Sequence, residues 1–195
     1  MSASASPTDY AAARQAMIDS QLRPQGVTDP LVIAAMASVE RERFVPEAAR
    51  AWAYADRPVP LGAGRAMPAP STLGILLDAI RPVAGERALI LGPNDGYAAA
   101  VLEAIGVQSL SAAAKAGNED SKVEIVLIDG AVDHIPDALV ARLADGGRLG
   151  ASLIDGGVTR LILGRKAGTA FGYRVIADAD VPALPGFTRP PAFVF

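Results

Sequence analysis

ALILGPNDGYAAAVLEAIG, residues 88–106, has the order strand, tight glycine turn, helix. Residues 87–91 are an apolar run of strand length, and residues 92–96 carry turn chemistry. Tyr97, Val101 and Ile105 then recur at i, i+4 and i+8 on one face of a following helix. In open α/β sheets a ligand sits at the carboxyl end of such a strand, where glycine lets the backbone approach it and the helix N-terminus leaves amides free. The stretch is therefore a candidate cradle for a nucleotide-like cofactor. The alternative is an ordinary βα turn. Asn94 stands where a G-x-G-x-G turn has its middle glycine, and Pro93 removes a donor. Asn tolerates positive φ better than most residues, so the turn can survive that exchange even where the cradle does not.

Composition bounds what surrounds this stretch. A chain of 195 residues, 51% hydrophobic, is long enough for one sizeable core. No Ser/Gly linker divides it, so one domain is expected, with N-terminal helices and a loop over residues 1–80 and an α/β core over 81–195. A net charge of −3 with scattered Lys and Arg argues against a nucleic-acid partner, which needs a concentrated basic face. The longest basic grouping, Arg41 with Arg43, reads as a solvated helix end. With no cysteine, disulfides, thiolate catalysis and zinc–thiolate sites are excluded, and the lone His134 reads as a loop or helix-start residue and not as a metal ligand. Residues 1–10 lack the basic start and apolar core of a signal peptide, and 18 consecutive apolar residues occur nowhere. A cytoplasmic protein without membrane insertion is expected.

Taken in order, Tyr10, Ala13 and Met17 mark a first helix that opens near Pro7. Asp29 as N-cap, Pro30 at N1 and the stripe Val32, Ala35, Met36, Val39 mark a second. Pro46 opens a short third helix through Ala51, with Trp52 and Tyr54 as packing anchors. Residues 56–70, DRPVPLGAGRAMPAP, are too rich in proline and glycine for a long regular element and read as a packed connector or a functional loop. Helix periodicity returns with Leu73, Leu76, Leu77 and Ile80.

After the organising stretch, residues 107–122 number only sixteen, too few for a full parallel βαβ unit of roughly 30. A sheet missing at least one edge strand on that side is therefore expected. Residues 123–128, VEIVLI, form the best strand in the chain, ending at the Asp129-Gly130 turn. A helix over 135–143 follows, with Leu139 and Leu143 inward, closed by Asp145-Gly146-Gly147 before a strand over 148–154. Residues 159–164 and 171–176 pair as a hairpin around a turn at 166–169, and residues 192–195 can add an edge.

MIDSQLRPQGVTDPLVIAAMASVERERFVPEAARAWAYADRPVPLGAGRAMPAP, residues 17–70, resembles the N-terminal portion of the protein-L-isoaspartate O-methyltransferase family, in particular its divergent bacterial branch. The likeness continues through Arg81-Pro82, the Gly92 loop with Tyr97, IDGAVDHIPDAL, ADGGRL, LPGF and the terminal FVF, and is interrupted after Gly106. It implies a three-layer class I S-adenosylmethionine-dependent methyltransferase fold, Rossmann-like, with N-terminal helices. It also implies S-adenosylmethionine as cofactor and an isoaspartyl-containing protein or peptide as substrate. Carried over by position, Gly92, Asn94, Gly96 and Tyr97 face the cofactor. Arg65, Ala66, Met67 and Pro68 form the substrate loop, and Asp129 is the candidate catalytic residue near the sulfonium; it is equally readable as a turn cap.

The chain departs from the family pattern at particular positions. Ile90 stands where the strand normally ends in an acidic residue, and Asn94 replaces the central glycine. The ribose-binding carboxylate has no clear counterpart, Glu119 and Asp120 reading as solvated loop charges. Ala66 and Pro68 stand where a Thr-x-Ser pair places substrate hydroxyls. No G-x-S-x-G, P-loop or metal-ligand cluster offers a rival chemistry. Two functions follow. One is carboxyl methyl transfer by alignment of substrate with an already activated methyl group. The other is a non-catalytic methyltransferase-like scaffold or interaction module with weakened or lost cofactor binding.

Overall fold

The computed structural model describes residues 9–92, 95–111 and 121–187. Their central feature is a mostly parallel sheet sandwiched between helices. In chain order the strands and α-helices are α1 (Tyr10–Met17), α2 (Pro30–Ser38), β1 (Val59–Gly62), β2 (Arg65–Met67), α3 (Pro70–Ile80) and β3 (Arg87–Leu91). They continue with α4 (Asp95–Ile105), β4 (Gln108–Ser111), β5 (Val123–Val132), α5 (Asp137–Arg142), β6 (Leu143–Asp155), β7 (Val158–Ala167) and β8 (Ala170–Asp178). The large sheet has the order β4-β3-β5-β6-β7-β8, and β1 and β2 form a separate two-stranded hairpin. Strands β4, β3, β5 and β6 run parallel, while β7 and β8 fold back antiparallel. From β3 the chain goes through α4 to β4 on one side, then returns to β5 on the other. The crevice between the carboxyl ends of β3 and β5 is thus the topological switch point where open α/β sheets take ligands.

Two cores flank the sheet. Alternation along β5 sends Ile125 and Leu127 into one, with Ala88, Ile90, Tyr97 and the buried faces of α1 to α4. It sends Val126, Ile128 and Val132 into the other, with Leu89, Leu149 and Ile162 and with Leu139 of α5 packed against them. The inward stripes expected of the helices are present. Leu73, Leu76, Leu77 and Ile80 are buried on α3, and Tyr97, Val101 and Ile105 on α4. Asp29 caps α2 by accepting from the Leu31 amide, with Pro30 at N1. The Asp78 carboxylate takes the Thr28 and Asp29 amides at 2.6 and 2.7 Å, pinning the start of α2 to α3.

Several elements differ from expectation. β5 does not stop at Asp129-Gly130 but runs on to Val132. Past a register shift, Ala131 pairs with Ser152 of β6 and bridges Ala183 of the C-terminal segment. α5 shrinks to Asp137–Arg142, because the ADGGRL segment joins β6 through an irregular stretch and does not close a helix. Residues Glu47–Trp52 form a 3₁₀ turn where a short α-helix was expected. Tyr54 is buried as an anchor, but Trp52 is 52% exposed and carries the Arg57 guanidinium 4.4 Å above its ring. Arg41, expected in solvent, is 1% exposed. β7 and β8 make the expected hairpin at greater length. On the side reached after Gly106, β4 is the edge strand among the described residues. The shortened interval at 112–120, with Glu119 and Asp120, lies outside them, as do Pro7 and the edge proposed for 192–195.

Gly150 tests the packing of α3 on the sheet. A Cβ there would lie 2.6 Å from Ile80 Cδ1, so Gly150→Ala should destabilise the fold by about 1–3 kcal/mol. Combining it with Ile80→Val, which removes that methyl, should return part of the loss. Urea unfolding of the single and double variants measures both, and simple additivity would show that α3 does not meet β6 at this point.

Candidate functional site

The switch-point crevice is built from very close backbone contact. Gly92 follows β3, and a Cβ on it would lie 2.8 Å from Asp129 Cβ and 3.0 Å from the Asp129 carbonyl oxygen. The missing side chain at Gly92 therefore lets β5 come near. Asp129 is itself 2% exposed. Behind it the segment after β8 closes down, with the Ala131 amide donating to Pro182 O (2.9 Å) and the Leu184 amide to Ala131 O (2.7 Å). Leu184 fills the space in which a Cβ on Gly130 would stand.

Tyr97, in the first turn of α4, is buried against the edge of Phe44, with ring centroids 5.6 Å apart at 62°. Over the same ring, 4.7 Å from its centroid, lies the Arg41 guanidinium. Arg41 Nε donates to Ala53 O at 2.7 Å, its Nη2 donates to Pro68 O at 2.5 Å, and its backbone amide donates to the Tyr54 hydroxyl at 3.2 Å. Burial pulls the Arg41 pKa down, and attraction to Tyr97 and Asp129 opposes it; a guanidinium is basic enough to keep its charge in a protein. Burial pushes Tyr97 up, with Arg41 opposing. The guanidinium lies over the ring, so it acts on Tyr97 by charge. The Tyr97 hydroxyl has no hydrogen-bond partner among the described residues.

A second cluster adjoins this one. The Tyr54 hydroxyl donates to Glu42 Oε2 and accepts from Arg14 Nε at 2.8 Å, and Arg14 Nη2 stands 3.3 Å from Glu42 Oε1. Residues 41–54 are thereby fastened to α1.

Of the residues singled out from the sequence, Gly92, Tyr97 and Asp129 come together at the switch point. Pro68 joins them through Arg41. Met67 is buried, Ala66 half-buried, and Arg65 and Gly96 exposed. Asn94 lies outside the described residues. Ile90 is fully buried among apolar neighbours, so the strand end has no carboxylate for a cofactor. The run Ala66-Met67-Pro68 presents no side-chain hydroxyl, amide or carboxylate to a substrate. At these positions the donor set does not match the one the family resemblance implies. Sequence reading missed Arg41, Glu42 and Arg14. No local signal marks Arg41, because Ala53, Pro68 and Tyr97 reach it from three distant stretches.

The tyrosines set an alkaline limit. Tyr54 sits above the ordinary tyrosine value of about 10, first because burial disfavours the phenolate and then because its hydroxyl bonds Glu42; Tyr97 is raised chiefly by burial. Each stays protonated in the folded chain where the unfolded chain has ionised. The folded state then holds more protons, and stability present below about pH 10 is lost as pH rises further. Urea unfolding should give a flat profile to about pH 9 and a decline beyond it. Tyr54→Phe should make that decline shallower and cost about 1–2 kcal/mol at pH 7, through the lost bonds to Glu42 and Arg14. Equal slopes in parent and variant would remove Tyr54 from this explanation.

A family profile described as protein-L-isoaspartate(D-aspartate) O-methyltransferase matches residues 12–119, ending inside the short interval after β4. The protein-L-isoaspartate O-methyltransferase of Methylorubrum populi is 34% identical, over 90% of this chain and 96% of its own. That alignment runs over 204 positions against the 195 residues here, so the relative carries residues that this chain lacks. Protein-L-isoaspartate O-methyltransferase 1 of Rhodopseudomonas palustris is 35% identical over 73% of this chain and 69% of its own. Among solved structures, a protein-L-isoaspartate O-methyltransferase of Plasmodium falciparum in complex with S-adenosyl-L-homocysteine has a TM-score of 0.71 at 16% identity, covering 91% of this chain and 99% of that one. Sequence and architecture together place the chain in the protein-L-isoaspartate O-methyltransferase family, with the class I methyltransferase fold.

Proposed function

We propose that this member keeps the methyltransferase scaffold without the family's chemistry. It binds S-adenosylmethionine weakly or not at all and serves as a non-catalytic scaffold. The observation that carries this reading is the loop 65–68, in which Arg65 alone carries a polar side chain. Ala66 and Pro68 stand where the family resemblance implies hydroxyls, and the Pro68 carbonyl is already committed to Arg41. The buried Ile90 points the same way, as does β4 (Gln108–Ser111), which carries no carboxylate among the described residues. Each charge-assisted hydrogen bond lost costs roughly 1.5–3 kcal/mol of ligand binding.

The placement of Gly92, Tyr97 and Asp129 at the switch point, together with the family itself, favours a second reading. This is methyl transfer from S-adenosylmethionine to an isoaspartyl carboxylate in damaged protein. In it Gly92, Asn94, Gly96 and Tyr97 would hold the cofactor, Asp129 would lie beside the reacting methyl group, and residues 65–68 would meet the peptide.

Methyl transfer to an isoaspartyl peptide, measured beside a catalytic relative, separates the two. No rate above the uncatalysed background is expected from this chain. The double variant Ile90→Glu with Asn94→Gly should gain no activity and should be less stable, because a carboxylate placed at a fully buried apolar position is unpaired. Transfer by the parent at a rate near that of the relative would establish the second reading.

A further inference from the structure

We infer that Arg41 is a positioning residue that couples the substrate segment to the cofactor turn, making residues 65–68 and the start of α4 move as one unit. Three separate parts of the chain meet on this one side chain. The Ala53 carbonyl comes from the N-terminal layer, the Pro68 carbonyl closes the β1–β2 hairpin segment, and the Tyr97 ring opens α4. Arg41 is 1% exposed, and among the described residues its guanidinium hydrogen-bonds only those two backbone carbonyls.

A buried cation is tolerated only while its compensating dipoles stay in place. Displacing the Tyr97 ring removes the negative ring face, weakens the hold on the guanidinium and loosens its grip on Pro68. A displacement of Pro68 likewise exposes or strands the charge above Tyr97. Tyr97 and Pro68 are therefore energetically linked through a residue on neither segment. The inference concerns the site of the proposed function but does not depend on whether methyl transfer survives.

Hydrogen–deuterium exchange on the full chain tests it without reference to activity. The probe is the set of amides in Arg65–Met67, which pair with β1, and the control is Val158–Ala167 on the far side of the sheet. Tyr97→Leu should speed exchange in Arg65–Met67 by about tenfold, the scale of one lost charge-assisted contact, and leave the control unchanged. In an Arg41→Met background the same Tyr97→Leu change should add less than about twofold, because the link is already cut. Arg41→Lys, which keeps the charge but not the two-pronged donor geometry, should recover part of the protection that Arg41→Met loses. If Arg41→Met does not fold, Tyr97→Leu in the parent and in Arg41→Lys still decides the matter. Independent, additive effects of the two substitutions would overturn the inference. So would faster exchange spread evenly into the control, or protection of Arg65–Met67 indifferent to Tyr97.

Discussion

A cation placed where water does not reach must be answered by the protein around it, and in this chain that cation is Arg41. Two backbone carbonyls, one aromatic face and the nearby Asp129 carboxylate answer it. These groups come from the turn at Ala53, the loop at Pro68, the start of α4 and the interior of β5. None can withdraw without leaving charge uncompensated in a low-dielectric interior, where the penalty is several kcal/mol. The N-terminal layer is held a second time by Tyr54, Glu42 and Arg14, whose hydrogen bonds join residues 41–54 to α1. The layer over the switch point is thus fastened from within.

The close approach of Gly92 to Asp129 shows the same economy. At a Gly-rich βα turn the customary reading is a gap left for a ligand's phosphate or ribose. Here β5 takes up the space that a side chain at Gly92 would use. A glycine in this position serves interstrand packing first, so its presence alone says little about cofactor binding. Ile90 behaves similarly: its apolar side chain completes the core that α1 to α4 build against the sheet. The fold closes on its own contacts at both positions.

The parts of this architecture visible in the sequence are those with local causes. The stripe Leu73, Leu76, Leu77, Ile80 and the cap at Asp29 are written in consecutive turns, and α3 and α2 formed as read. The β7–β8 hairpin was legible from apolar runs around Gly168. Long-range compensation was not. Arg41 resembles any charged residue at a helix end until Pro68 and Tyr97 are brought against it, and Trp52 resembles an anchor until Arg57 is found stacked on its exposed face. β5 ran past its apparent turn because Ala131 gained partners from β6 and from the C-terminal segment, contacts no short window contains. The site positions came from family likeness, and their departures at Ile90, Ala66 and Pro68 acquire physical meaning only with burial and hydrogen bonding in view.

Under the function proposed for it, the scaffold stands without S-adenosylmethionine. Thermal unfolding with and without millimolar S-adenosylhomocysteine measures this directly, since any ligand that prefers the folded state raises the melting temperature. An unchanged melting temperature is the expected result. A ligand present at 100 times its Kd would stabilise the fold by about 2.7 kcal/mol, which for a chain of this size is a rise of roughly 5–10 °C. A shift of that size would contradict the proposed loss of cofactor binding.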